Sequence, residues 1–225
     1  MKVIAISGSP HGMHGTTGRM VSSVLEGAQS AGAAAEVFSL ADFTVQPCTG
    51  CDACGKTGTC VIDDDYALIK NALCEADGIV LASPNYVSNI SAQMKAFIDR
   101  SQNLLHCQTL KGKYGVAVVT SGGPYTDRGL EYLQFVMTMM GIWTVGSMFV
   151  TNPQLDDENE QREVLQSAAG IGIRLANAIR SKETFAEQEA ELEEKFEIMK
   201  TVVQFQKENW PFKYAYWKER WGLQD

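Results

Sequence analysis

MKVIAISGSPHGMHGTTGRM, residues 1–20, decides how the remainder of the chain is read. Residues 3–6 are continuously apolar and rich in β-branched side chains, the composition of a short strand buried on both faces. Ser7 and Gly8 close it, and from Arg19 the apolar spacing becomes helical and ends near Gly32. Between strand and helix lies a loop of Gly, Ser and Thr. Such a unit makes a place for an anion, because loop amides and the unpaired N–H groups of the first helical turn point at it. The loop is not G-x-G-x-x-G, and it lacks the Lys-Ser/Thr ending of a P-loop. It offers hydroxyls instead, from Ser7, Ser9, Thr16 and Thr17, which suits a phosphate monoester. The same residues also suit a plain polar turn, with Thr16 or Thr17 as the N-cap.

The alternation continues along the chain. Residues 36–40, 78–82, 114–120 and 144–150 read as further strands. Residues 65–76, 91–103, 130–140 and 160–179 have helical spacing, the last strongly amphipathic. Strands alternating with helices over residues 1–180 predict one parallel sheet covered by helices on both faces. A sheet of this kind binds its ligand outside the C-terminal strand ends, where the strand order reverses. Two more loops reach that edge, SPNYVSN at 83–89 and TSGGPYTD at 120–127. A flavin ring needs main-chain donors and acceptors along its pyrimidine edge and an apolar or aromatic neighbour. Ser83, Pro84, Asn85, Tyr86 and Asn89 would supply one share, and Ser121, Gly122 and Gly123 the other. Each loop alone is also an ordinary run of turn residues; three converging on one edge favour the ligand.

Between the second strand and the next helix lies PCTGCDACGKTGTCVIDDD, residues 47–65, with Cys48, Cys51, Cys54 and Cys60 spaced C-x2-C-x2-C-x5-C. Thiols at successive three-residue intervals suit a cuboidal iron–sulfur cluster, whose irons each take one thiolate. Zinc sites usually join two C-x2-C pairs across a longer spacer and fit less well. A third reading leaves the cysteines as loop thiols that bind no metal. Cys74 and Cys107, standing alone, read as inert, and His106 has no expected chemical role, whereas His14 lies in the anion loop. Asp63, Asp64 and Asp65 read as a helix start favoured by the dipole, and Lys95 and Arg100 as surface or interface charges.

The 225 residues, 45% hydrophobic and 20% charged, suffice for one sizeable core. A net charge of −8 argues against nucleic acid and anionic membranes as partners. No apolar run has the length of a signal segment or a membrane span, so a cytoplasmic location is expected, where clustered thiols serve as ligands or redox groups. Residues 181–225 form a charged, helical and then aromatic extension, with Trp210, Phe212, Tyr214, Tyr216, Trp217 and Trp221. So many aromatics do not suit a solvated tail. The extension is expected to dock across a subunit interface near the flavin edge.

Three pieces together, SGSP…GTTG, the cysteine run and above all ADGIVLASPNYVSNISAQMKAFIDR at 76–100, resemble the NADPH-dependent FMN reductase superfamily in its iron–sulfur flavoprotein branch. The resemblance implies a flavodoxin-like fold with strand order 2-1-3-4-5, FMN as prosthetic group and homo-oligomers, dimers or tetramers. For members with the compact cysteine motif it implies a 4Fe–4S cluster exchanging electrons with FMN. Where the family commonly has Arg after Ser-Pro, this chain has His11, so phosphate pairing is expected to be weaker and pH-dependent. In that strand order the cysteine loop leaves the sheet at the same edge as the phosphate loop, about one strand spacing (~4.8 Å) away. The expected activity moves electrons between a low-potential donor, ferredoxin or NAD(P)H, and an unidentified acceptor. The rivals are an FMN-only NAD(P)H-dependent quinone, nitro or azo reductase, and a flavodoxin-like electron carrier.

Overall fold

The computed structural model describes residues 1–123 and 127–224. Strands β1 (Lys2–Ser7), β2 (Ala34–Ser39), β3 (Gly78–Pro84), β4 (Tyr114–Ser121) and β5 (Trp143–Thr151) form one sheet in the order β2-β1-β3-β4-β5. Every pairing is parallel. This is the flavodoxin-like order, with the reversal point between β1 and β3. Side-chain alternation splits the core into two layers. Ile4, Ile6, Ile79, Leu81, Ala117 and Val119 face one way, and Val3, Ala5, Val80, Ala82, Val116 and Val118 the other.

The first layer is closed by α3 (Tyr66–Glu75), α4 (Ala92–Arg100), α5 (Gln102–His106) and α6 (Arg128–Met139). The second is closed by α1 (Thr16–Ser30) and α8 (Glu158–Ser181), which pack on each other. A one-turn α2 (Ala53–Thr57) lies within the cysteine loop, and a one-turn α7 (Asn152–Asp156) follows β5. The sequence predicts a single helix over 91–103, but two are found. Ser101 turns its hydroxyl back to the Phe97 carbonyl, a local bond that competes with helix continuation. The break lets α5 approach the cysteine loop, where Asn103 is used.

The extension consists of α9 (Ala186–Phe205) and α10 (Pro211–Trp221). Gln188 of α9 accepts from Thr144 N–H and donates to Thr144 O, covering the free edge of β5 that would otherwise invite pairing. Pro211 takes the first position of α10, where its missing N–H costs nothing. The chain thereby folds back, and α10 packs on α9 and α2. Met199, Val203, Trp217 and Leu223 make a small core of their own. The aromatic face of the tail thus docks on its own chain. Among the described residues, no helix is long and apolar enough to cross a membrane.

Candidate functional site

At the C-terminal edge of the sheet the three expected loops meet. Asn85 ties two of them together: its N–H donates to Thr120 O at 2.6 Å and its Nδ2 to Ser121 Oγ at 3.2 Å. Ser91 ties in the first, donating its hydroxyl to Gly8 O at 2.6 Å while capping α4 at Met94 N–H. Ser83, fully buried, accepts from Ser91 N–H and donates to Pro84 O. Tyr86 and Asn89 close a small antiparallel bridge, with Asn89 Oδ1 accepting from Ile90 N–H. Tyr86 stays 45% exposed at the mouth. Ser121 also accepts from Gly123 N–H, and Gly122 stands in open space. Pro124, Tyr125 and Thr126 of this loop lie outside the described residues.

The first loop is only partly spent on the protein itself. Ser9 Oγ accepts from the N–H of the exposed His11. Thr16 donates to Asn152 Oδ1, and the Thr17 and Thr120 hydroxyls share a 2.7 Å bond. Both threonines therefore have protein partners, which the sequence did not reveal because Thr120 and Asn152 are far along the chain. Yet the N-cap of α1 is Gly15, which offers no side-chain cap, leaving the first-turn N–H groups available. Ser7 Oγ and Asn85 Oδ1 are buried with no hydrogen-bond partner. Unspent polarity of this kind at a sheet's ligand edge fits a bound phosphate and a heterocycle, so the residues suit FMN.

The cysteine loop is pinched at its base. Thr44 and Asp65 exchange bonds, Thr44 N–H to Asp65 Oδ2 and Asp65 N–H to Thr44 O. Beside them Asp64 and Arg100 form a bidentate pair at 2.8 and 3.0 Å, each side chain 1% exposed. The guanidinium also holds the Gln46 and Ile62 carbonyls. This corrects one expectation, since Arg100 is no surface charge; Asp64 holds the loop's neck and also accepts from the N–H of Tyr66, the first residue of α3, in keeping with a helix start. Burial alone would raise the Asp64 carboxyl, but the Arg100 bonds and the Gln46 and Tyr66 N–H groups hold it below the usual range. Above the neck, Asn103 donates to the carbonyls of Cys54 and Gly58, both at 3.1 Å, and so finishes α2.

Cys54 and Cys60 wall one cavity of about 150 Å³ together with Tyr66, Arg100 and Asn103. Arg100 Nε is buried there without a hydrogen-bond partner, with the Cys60 thiol beside the guanidinium. Burial raises the Cys54 thiol, and the nearby Lys213 ammonium opposes that shift. Cys48 and Cys51 lie on the exposed outer limb. The Ala53 N–H and the Thr49 hydroxyl hold the Cys51 thiol below its usual range. Among the described residues, no three Cys, His, Asp or Glu side chains are gathered closely enough to hold a metal. The donor set, all thiol and backed by a buried cation, nonetheless fits an iron–sulfur cluster in kind. Cys107 is buried and its thiol pushed up to about 12, in keeping with an inert role.

The extension covers this loop. Trp210 Nε1 donates to Asp52 Oδ2, Trp217 Nε1 to His106 O and Trp221 Nε1 to Cys107 O. Three indole N–H groups thus find acceptors on or beside the loop. The fit leaves no room for side chains beneath it: a Cβ on Gly55 would stand 2.5 Å from Trp210, and one on Gly58 would stand 2.4 Å from Phe212.

Comparison with known proteins agrees with this geometry. The sequence profile described as NADPH-dependent FMN reductase matches residues 1–156. The chain is 32% identical over 224 residues to an iron–sulfur flavoprotein of Archaeoglobus fulgidus, spanning 98% of this chain and 99% of that one. It is 44% identical over 118 residues to an iron–sulfur flavoprotein of Methanocaldococcus jannaschii, covering 52% of this chain and 61% of the relative. Among solved structures, a flavone reductase superposes with a TM-score of 0.65 at 18% identity, covering 80% of this chain and 63% of that one. That last likeness is one of fold.

Proposed function

Since the chain belongs to the NADPH-dependent FMN reductase family, we propose that it is an iron–sulfur flavoprotein: an FMN-dependent oxidoreductase that carries a 4Fe–4S cluster and works as a homodimer or tetramer. Electrons enter from ferredoxin or NAD(P)H and leave to an unidentified acceptor. The observation that supports the flavin best is the unspent polarity at the sheet edge, where α1 is uncapped and Asn85 Oδ1 and Ser7 Oγ lack partners. A buried polar atom without a partner is costly, and a ligand that supplies one recovers that cost as affinity. The first-turn N–H groups of α1 would take the terminal phosphate. Asn85, held by Thr120 and Ser121, would orient the ring, with Tyr86 shielding it from water. Bound FMN supplies the capacity to accept and release electrons.

Cys48, Cys51, Cys54 and Cys60 would hold the cluster, a one-electron group that four thiolates complete. The thiol-only donor set and the cations buried next to Cys54 and Cys60 support this reading. An FMN-only NAD(P)H-dependent quinone, nitro or azo reductase is favoured instead by the exposure of Cys48 and Cys51. Anaerobic purification with iron, sulfide and flavin analysis separates the two. The expected result is FMN released by heat and about four irons per chain, as one cubane requires. FMN with no iron selects the reductase, stoichiometric zinc removes the cluster, and FAD removes the flavin assignment.

A further inference from the structure

Lys213 lies on α10, in the extension, and its side chain is fully buried. Among the described residues no carboxylate pairs with it. Its Nζ stands 2.9 Å from His106 Nδ1 and 3.6 Å from the centroid of the Trp210 ring. The imidazole is neutral, since burial and then the ammonium push His106 down to about 4. A neutral acceptor and an aromatic face solvate a cation in part, but neither cancels its charge. A buried ammonium left in that state is strongly unfavourable. Arg100, on the other side of the loop, shows the contrast, because Asp64 matches its charge in full.

The groups facing the ammonium that can be negative are Cys54, Asp52 and Cys107. Asp52 is turned to Trp210 Nε1, at 2.6 Å. Cys107 is a neutral thiol deep in the fold. Cys54, one of the four loop cysteines, is the strongest of the three influences on the ammonium. We propose that Lys213 is the charge-compensating residue of the thiolate centre, a fixed ammonium delivered by the C-terminal extension to raise the centre's reduction potential. The inference rests on the iron–sulfur reading above. Four thiolates around a cubane leave it net negative, and an added electron makes it more so. A cation held beside it in a low dielectric stabilises the reduced form more than the oxidised one. This gives the aromatic cover a purpose: Trp210 and Phe212, seated over Gly55 and Gly58, keep water from screening the ammonium.

The test compares full-length wild type with Lys213→Met, Lys213→Gln and Lys213→Arg, all purified anaerobically. Iron and sulfide, the midpoint potentials of cluster and FMN, and the melting temperature after iron removal are measured. In the Met and Gln variants the cluster should be harder to reduce, by roughly tenfold in the equilibrium, about 59 mV for one electron. The Arg variant should stay near wild type and the FMN potential should not move. Iron-free Lys213→Met should melt no lower than iron-free wild type, because without the cluster no ion pair holds the buried ammonium. Loss of iron from the Met and Gln variants alone would also support the role. An unchanged cluster potential, a drop shared equally by FMN, or a much lower melting temperature of the iron-free Met variant would overturn it. Wild type without iron would overturn the iron–sulfur reading itself, and this inference with it.

Discussion

Asp64 and Arg100 show how much one residue pair contributes here. They sit 1% exposed at the neck of the cysteine loop and share two short bonds. Asp64→Asn would leave a guanidinium buried without its charge partner, a change that costs roughly 3–5 kcal/mol. Denaturant unfolding should show that loss, and Asp64→Asn with Arg100→Met together should recover most of it. A second prediction concerns pH. Burial, then Lys213, lowers His106 to about 4, while the unfolded imidazole titrates near 6.5. Below that value the unfolded chain binds the extra proton, so stability falls as pH drops from about 6.5 toward 4, by up to ~3 kcal/mol. His106→Gln should flatten this part of the profile; an identical slope in the variant would show another group is responsible. None of these residues stood out in the sequence. Asp64 was one acid in a run of three, and Arg100 was one charge on an amphipathic helix. Their pairing arises from a closure across 36 positions that no local pattern records.

Elements were more legible than contacts. The central strands β1, β3 and β4 were visible as short apolar runs, because strands buried on both faces carry few polar residues, whereas the edge strands β2 and β5 are only partly buried and more mixed. Helix α2 escaped notice because one turn has too few residues to show a period, and its caps, Asp52 and Gly58, both take left-handed backbone. The α4–α5 break escaped because the apolar spacing runs through it. At the ligand edge the sequence identified the right loops but not how their hydroxyls are spent. That gives a prediction for the first loop. Thr17→Val removes the bond to Thr120 and a hydroxyl beside the uncapped start of α1. If that hydroxyl also meets the phosphate, FMN should bind about tenfold more weakly, since a hydrogen bond to a charged group is worth roughly 1.5–3 kcal/mol. Equilibrium titration of the flavin-free protein measures it. Asn85→Ala, which removes both the loop tie and the orphan oxygen, should weaken FMN further. Wild-type affinity in both variants would place the flavin elsewhere.

At the scale of the whole molecule the chain is an FMN reductase-type sheet with a helical strap laid over its cysteine loop. The sequence showed that the aromatic extension must be buried. It could not show against what, because six aromatics serve a partner's surface and the chain's own equally well. Three indole N–H groups bonded to Asp52, His106 and Cys107 answer that for one face. Truncation tests the consequence. A cut after Gln206 removes α10 but spares Gln188, which guards the β5 edge, so the sheet keeps its cover. Each large aromatic lost forfeits roughly 1.5–3 kcal/mol of burial, and the loss falls on α2 and α9 rather than on β1, β3 or β4. The truncated protein should therefore keep FMN and its assembly state by light scattering. It should lose iron, and amide exchange in residues 48–60 should quicken. Retained iron with unchanged exchange would mean that the strap is not needed by the loop beneath it. A change in mass on truncation would instead assign α10 to a subunit interface, as the aromatic content of the sequence alone had led one to expect.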